Sequence, residues 1–258
     1  KWILSRVNRL AKDVTENMDK FELGIAVQKV YDFIWDEFCD WYVETAKYRI
    51  YHKEEEKAAA DCVLWVLKTV LKQALKLLHP FMPFITEEIY SVLVPEEESL
   101  MMSEWPQFHA EWDFPAEENV MEHVKEITRG IRNMRAEMNV PNNRKTKVYV
   151  VCEDTEICDG ISTLENSIKP LMMAEKILVQ QTKENIADNA VSVVVPDAVV
   201  YLPLEDLVDF EQEMERLQKE EEKLKKEIKR AEGMLSNERF ISKAPEAKVQ
   251  EEREKLEK

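Results

Sequence analysis

Three carboxylates recur at intervals of four residues in the first third of the chain. They are Asp36, Asp40 and Glu44, and Lys47 follows three residues after the last of them. A helix would place all four on one face. General acid–base catalysis needs two carboxylates in unequal environments, and nothing in this pattern creates that difference. The pattern therefore indicates either a solvated helix face with a Glu44–Lys47 ion pair or an edge that contacts RNA.

Basic residues cluster on a predicted helix in the middle of the chain. Four cations recur there every three or four residues, opposite an apolar stripe: Lys125, Arg129, Arg132 and Arg135. They would form an edge about 15 Å long. The formal charge of the chain is −16, so this clustering is a local anomaly. It predicts either contacts with phosphates or a face of surface ion pairs.

No sequence pattern for catalysis, metal binding or membrane insertion occurs. The four histidines are scattered, and the four cysteines form no CxxC pair, which predicts free thiols in a reducing cytoplasm. Phosphate-binding glycine loops and the GxSxG motif are absent. No stretch has 18 uncharged apolar residues, and the first residues lack a signal-peptide layout. We therefore expect a cytoplasmic chain with no catalytic residue, metal ligand or cofactor of its own.

The elements that must position these side chains are helical in the first 116 residues. Only four glycines occur in 258 residues, which favours long helices. Apolar residues recur at helical spacing near 3–18, 21–52, 63–79 and 83–94. We predict a helical bundle over residues 1–116, in which the segment from Pro95 onward is a loop that its tryptophans pin to the helices.

The middle third changes to an α+β pattern. An amphipathic helix is predicted over 120–138, and Pro141 follows it. Four segments rich in β-branched residues, at 147–152, 177–181, 191–195 and 199–202, predict strands. A further helix is predicted around 156–173. Residues 117–203 are therefore predicted to form a small α+β linker module.

The last quarter of the chain carries a heptad repeat. From Leu207 to Leu235, apolar residues follow one another at alternating intervals of three and four residues, and only Glu221 interrupts this series. Such a narrow stripe cannot build a globular core and needs a partner helix. A turn and a second charged helix then predict an antiparallel coiled-coil hairpin over 204–258, whose returning arm looks truncated. We therefore expect the isolated chain to self-associate through the exposed seam.

The predicted tip of this hairpin is basic and carries an aromatic residue. Its side chains are Arg239, Phe240, Lys243 and Lys248. Cations bind phosphates and aromatic rings stack on exposed bases, so the tip suits RNA. The alternative is that Phe240 and Ile241 only seal the turn.

Several motifs resemble the region that follows the catalytic domain in bacterial valyl-tRNA synthetases, which are class I enzymes. The run FIWDEFCDWY at 33–42 is similar to their anticodon-binding domain, and LHPFMPFITEE at 78–88 is similar to the next landmark of the class. Ile131–Pro141 resembles the valyl-type linker. Asn237, Phe240 and the run 243–245 resemble the coiled-coil arm. The resemblance covers the whole chain in order.

The resemblance implies a fold and a function. The fold would be mainly α: an anticodon-binding bundle, an α+β linker and a coiled-coil tRNA-binding arm. The parent enzyme would be a monomer that joins valine to its tRNA through valyl-adenylate, using ATP and Mg²⁺. The HIGH and KMSKS-type motifs of its catalytic domain and the inserted editing domain do not occur here. We therefore expect this chain alone to be inactive and its partners to be valine tRNA and the catalytic domain of the same polypeptide.

The resemblance also implies which residues contact tRNA. In the bundle, Asp40, Lys47 and Arg49 would bind base edges and the RNA backbone, and Tyr42 would stack on a base. The remaining candidates lie on the linker and at the hairpin tip: Arg132, Arg135, Asn139, Arg239 and Lys243. A rival interpretation is a helical scaffold that binds a protein partner through the coiled coil. A hydrolase or transferase is disfavoured, because its nucleophile, metal and glycine-loop patterns are missing.

Overall fold

The computed structural model describes residues 1–207 and 210–235. The chain divides into two compact units, Lys1–Leu207 and Val208–Lys258. The first unit combines a helical bundle with a four-stranded sheet, and a single long helix is described in the second. The predicted mainly α fold with a small sheet is confirmed. The turn and returning arm of the predicted hairpin lie outside the described residues, and the domain boundaries at 116 and 203 stay predictions.

The bundle is built from five α-helices and one π-helical segment. They are α1 (Trp2–Asp19), α2 (Leu23–Asp32), the π segment (Phe33–Val43), α3 (Glu44–Tyr51), α4 (Lys57–Leu78) and α5 (Pro83–Leu93). Helix α1 packs against α2, α4 and the later helix α6 (Pro115–Glu137). Its core side chains Ile3, Val7, Leu10 and Val14 follow the predicted helical spacing and are buried.

The π segment changes which side chains the second predicted helix buries. The spacing over 21–52 predicts a regular α-helical stripe. Phe38 and Trp41 of that stripe are buried, whereas Leu23, in α2, is 49% exposed. The π segment also buries Phe33 and Tyr42, because the wider turn of a π-helix has a longer repeat than 3.6 residues.

The segment between α5 and α6 is pinned to α1, as predicted. The indole Nε1 of Trp105 donates to Thr15 Oγ1 over 2.8 Å. The side-chain amide of Asn8 donates a hydrogen bond to the backbone carbonyl of His109 over 2.7 Å, and its oxygen accepts one from the backbone N–H of His109 over 2.8 Å. These bonds satisfy backbone groups of a loop that has little regular structure of its own.

The sheet lies beside α6 (Pro115–Glu137) and α7 (Thr155–Ile168). Its strands are β1 (Thr146–Cys152), β2 (Ala174–Gln180), β3 (Val191–Val195) and β4 (Ala198–Leu202), in the order β2-β1-β4-β3. Strands β1 and β2 are parallel and are joined through α7, whereas β4 runs antiparallel to both β1 and β3. The four predicted strands are confirmed.

Two glycines allow this module to pack closely on α6. A Cβ atom at Gly130 would lie 2.7 Å from Val193 Cγ1, and one at Gly160 would lie 2.6 Å from Val120 Cγ2. Glycine is therefore needed at position 130 for β3 to pack closely on α6, and at position 160 for α7 to pack closely on α6. Helix α6 therefore packs against the bundle on one side and against the sheet on the other.

The chain continues into α8 (Leu204–Leu207) and, in the second unit, α9 (Phe210–Leu235). On α9 the heptad side chains Met214, Leu224 and Ile228 are exposed by 45–60%. Within the described residues, no helix has the length and apolar character that crossing a membrane requires.

Candidate nucleic-acid interface

The carboxylate face of the π segment and α3 contains both a free acid and an ion pair. Asp40 is exposed near the end of the π segment. Lys47 Nζ lies 2.5 Å from Glu44 Oε1, and this hydrogen bond raises the pKa of Lys47. The predicted Glu44–Lys47 pair is confirmed. Because both of its side chains keep about two fifths of their surface in solvent, Lys47 remains within reach of a ligand.

The C-terminal end of α3 adds aromatic residues that the sequence interpretation missed. The rings of Tyr48 and His52 are stacked with centroids 4.3 Å apart, and the Tyr51 side chain is 75% exposed. Arg49, which lies between Tyr48 and Tyr51 in the sequence, is half-buried. The available signal was the alternation of aromatic and basic residues from Tyr48 to Lys53, which is typical of surfaces that bind single-stranded nucleic acid.

Tyr42 occupies the core instead of the surface. Its ring lies 5.9 Å from that of Trp2 in an edge contact and 6.2 Å from that of Phe38 in a stacked one. Only 9% of the residue is exposed, and burial raises the pKa of its hydroxyl well above the ordinary value. The prediction that Tyr42 stacks on a base is therefore corrected, because hydrophobic neighbours already cover the ring.

Arg132 lies where the bundle meets the α+β module. Its guanidinium is 5.9 Å from the ring centroid of Trp41, and its Nε donates to the carbonyl of Leu171 over 3.2 Å. The side chain is nevertheless exposed. Arg132 thus packs on a ring of the π segment, the element that also carries Asp40.

Arg135 is a structural residue. It is only 3% exposed, and its Nη2 donates to the carbonyls of Pro141 over 2.9 Å and Arg144 over 2.6 Å. Burial lowers the pKa of its guanidinium. The prediction that Arg135 contacts tRNA is corrected, because this side chain stabilises the turn after α6 and has no surface to offer a phosphate.

The other two cations of the predicted basic edge are neutralised by acids. Lys125 Nζ lies 2.8 Å from both Glu37 and Glu122, and only 4% of its side chain is accessible. Arg129 pairs with Glu126 over 2.8 Å. Of the two alternatives for this edge, the ion-pair interpretation is therefore confirmed for Lys125 and Arg129, and phosphate contact remains a prediction for Arg132.

Asn139 ends α6 through its backbone. Its φ is 53°, in the left-handed region that asparagine tolerates better than most residues. Its amide donates to the carbonyl of Ala136 over 3.1 Å, and the amide of Val140 donates to the carbonyl of Arg135 over 2.9 Å. This pair of bonds is the Schellman arrangement of a helix C-terminus. The Asn139 side chain is exposed, and its contact with tRNA stays a prediction.

The remaining candidates of the first unit other than Asn139, together with Tyr51, lie in a region around α3 that we call the α3 surface. It comprises Asp40, Lys47, Arg49, Tyr51 and Arg132. The first four belong to one continuous helical segment, and Arg132 lies beside it over Trp41. Its cations and exposed aromatic ring can bind phosphates and bases. Arg239 and Lys243, predicted at the hairpin tip, lie outside the described residues. Among the residues that the structure describes, no group of His, Cys, Asp and Glu side chains converges so that it could hold a metal ion.

Two family models match the chain. The model for the anticodon-binding domain of tRNA ligase matches residues 1–150, and the model for the valyl tRNA synthetase tRNA binding arm matches residues 209–258. These matches confirm the resemblance on which the sequence interpretation rested. The first of them contains the whole α3 surface.

Individual relatives match along the full chain. The valine–tRNA ligase of Clostridium perfringens is 50% identical over 255 residues, which cover 99% of this chain and 29% of the relative. The ligases of Clostridium acetobutylicum and Bacillus subtilis are 45% and 38% identical, and the matches cover 100% and 99% of this chain and 29% of each relative. The chain therefore spans less than a third of the length of these relatives.

Proposed function

The chain belongs to the family of anticodon-binding domains of tRNA ligases, and from this premise we propose that it is the tRNA-recognising, C-terminal part of a valine–tRNA ligase. The support is the order of the two matched models, with the valyl-type arm after the anticodon-binding domain. In this proposal the longer protein attaches valine to its tRNA with ATP and Mg²⁺. That chemistry resides outside these 258 residues, which bind and position the tRNA.

The observation that carries the proposal is the composition of the α3 surface. Lys47, Arg49 and Arg132 are cations on the surface of a strongly acidic chain, and local patches rather than net charge decide where a polyanion binds. Tyr51 presents a ring on which an unpaired base can stack. Asp40 is an acceptor for the amino groups of base edges. Together they fit a single-stranded loop of RNA such as an anticodon.

Filter binding of valine tRNA to the 258-residue chain tests this proposal. Binding should weaken as the salt concentration rises, and Arg49→Gln should lower the slope of log affinity against log salt by about one. Lys68→Gln is the control, because Lys68 is a surface cation of α4 that pairs with Glu96 and does not belong to the α3 surface. An equal affinity for valine tRNA and a non-cognate tRNA would refute specific recognition by this chain.

The arm is the second element of the proposal. We assign it to the elbow of the tRNA, with Arg239 and Lys243 as phosphate contacts. Reversing both charges in the complete ligase should weaken tRNA binding and leave ATP–pyrophosphate exchange intact, because activation of valine does not involve tRNA. Loss of the exchange reaction would contradict this assignment.

The exposed seam of α9 favours a second candidate function, a scaffold that binds a protein through the coiled coil. Its basis is the exposure of Met214, Leu224 and Ile228. Light scattering distinguishes the two functions. A concentration-dependent dimer that disappears on removal of residues 204–258, together with no tRNA binding, would favour the scaffold.

A further inference from the structure

Helix α5 carries apolar side chains on a second side besides the one that packs into the core. On its inner side Thr86 and Tyr90 are fully buried, and Tyr90 packs with Leu75, Val94 and Leu100. A surface helix normally carries one apolar stripe, which faces the core, and polar side chains elsewhere. Within the part of the chain that the structure describes, this second apolar side of α5 is exposed.

The α5 outer face consists of five large apolar side chains. They are exposed by 40–91%: Met82, Phe84, Ile85, Ile89 and Val92. Ile85, Ile89 and Val92 follow each other at intervals of four and three residues, so they form a continuous stripe. Met101 and Met102, in a short helical turn that packs beside α5, are also more than 70% exposed. Soluble proteins rarely leave such contiguous apolar patches uncovered unless another surface binds there.

The charges of this helix exclude the proposed tRNA as the occupant. Pro83–Leu93 contains two glutamates and no lysine, arginine or histidine. The Glu87 carboxylate accepts hydrogen bonds from the Leu100 amide and the Ser99 hydroxyl, and Glu88 is exposed. A phosphate backbone would meet negative charge and no cation on α5. An apolar protein surface fits instead.

We propose that the α5 outer face is the docking surface for the part of the polypeptide that lies outside these 258 residues. This inference rests on the proposed function, which makes the chain one part of a valine–tRNA ligase. More than two thirds of the length of the matched relatives lies outside the match. A surface tethered in the same polypeptide has a high effective concentration at α5, whereas a second copy of the chain must bind from dilute solution.

The test compares one substitution in two proteins, the isolated chain and the complete polypeptide. Ile89→Lys places a cation on a side chain that is already partly solvated in the isolated chain, so its thermal midpoint should shift little. In the complete protein the same lysine would enter an apolar interface. Limited proteolysis should then separate the two parts at least about tenfold faster than in the unmodified protein, because the rate tracks the population in which they are undocked.

Val194→Lys is the matched control, since Val194 is also apolar and is 78% exposed, but lies on strand β3. It should leave the proteolysis rate unchanged. Val92→Ser, a milder change on the outer face, repeats the test if Ile89→Lys destabilises the isolated chain. Unchanged proteolysis of the complete protein with both outer-face variants would overturn the proposal.

The experiment distinguishes two further outcomes. A dimer of the isolated chain that Ile89→Lys abolishes, with no effect in the complete protein, would show that a second copy covers the face, and would overturn the proposal. The proposed function fails separately, if the unmodified complete protein shows no valine-dependent ATP–pyrophosphate exchange. The proteolysis comparison does not depend on that activity.

Discussion

The Nζ atom of Lys125 lies 2.8 Å from Oε2 of Glu37, and both side chains are largely enclosed, with 4% and 14% of their surface accessible. The ammonium also lies 5.3 Å from the ring centroid of Trp2. The other oxygen of Glu37 accepts a hydrogen bond from Arg6 over 2.8 Å. One carboxylate thus joins α1, the π segment and α6, and so connects the bundle to the helix on which the sheet packs.

Replacing this carboxylate should destabilise the chain. Glu37→Gln leaves the Lys125 ammonium buried with only Glu122 as an anionic partner, so we expect the free energy of unfolding to fall by about 3 kcal/mol. Urea denaturation measures the loss. The control is Glu96→Gln, which removes an exposed pair with Lys68 and should cost less than about 1 kcal/mol. Equal effects of the two substitutions would contradict the importance of the buried pair.

Arg135 should matter for stability and not for tRNA. Arg135→Met removes the donors to the carbonyls of Pro141 and Arg144. We expect a loss of about 2 kcal/mol in unfolding free energy, with no change in the salt dependence of tRNA binding. Arg132→Gln should show the reverse pattern, a lower salt slope with little loss of stability. A folded Arg135→Met variant with a reduced salt slope would restore the original prediction.

Asn139 allows backbone and side-chain roles to be separated. Asn139→Gly keeps the left-handed conformation available and should preserve stability, whereas Asn139→Ala should cost about 1 kcal/mol because Cβ disfavours a φ of 53°. Thermal unfolding compares the two variants. If Asn139→Gly binds valine tRNA as tightly as the unmodified chain, the asparagine side chain has no part in recognition. A loss of affinity with Asn139→Gly would show that the asparagine side chain takes part in recognition.

The cysteines should differ in reactivity because their burial differs. Burial, together with the neighbouring Cys152, raises the pKa of Cys158 to about 11, whereas Cys62 is exposed. At pH 8 iodoacetamide should modify Cys62 at least about tenfold faster than Cys158, as mass spectrometry of the peptides would reveal. Comparable rates in the folded chain would contradict the buried position of Cys158.

The same pKa shift predicts a direction for alkaline stability. Between the ordinary thiol pKa of 9.0 and about 11, the folded chain keeps the Cys158 proton while the unfolded chain loses it. Stability therefore falls as the pH rises through this window. Urea denaturation at pH 8, 9 and 10 should record the decline, and Cys158→Ala should reduce it. An unchanged decline in that variant would assign it to other groups, such as the tyrosines with raised pKa values.

Local sequence determined most of the secondary structure. The helices, the four strands and the helix boundary at Pro83 follow from periodicity, β-branched residues and the geometry of proline, which act over a few residues. The ordered motifs also identified the family that the comparisons confirmed. The π segment was missed because an α-helical repeat was assumed for a run of bulky aromatic residues.

Tertiary structure alone decided which of the predicted contacts face solvent. Lys125 and Arg135 follow the same periodic pattern as Arg129 and Arg132, but Glu37 and the turn at 141–144 enclose the first two. Tyr42 is buried because Trp2, forty residues earlier in the chain, packs against its ring. Periodicity places a side chain on a helix face, whereas exposure depends on which distant element covers that face, and only packing of the whole chain sets that.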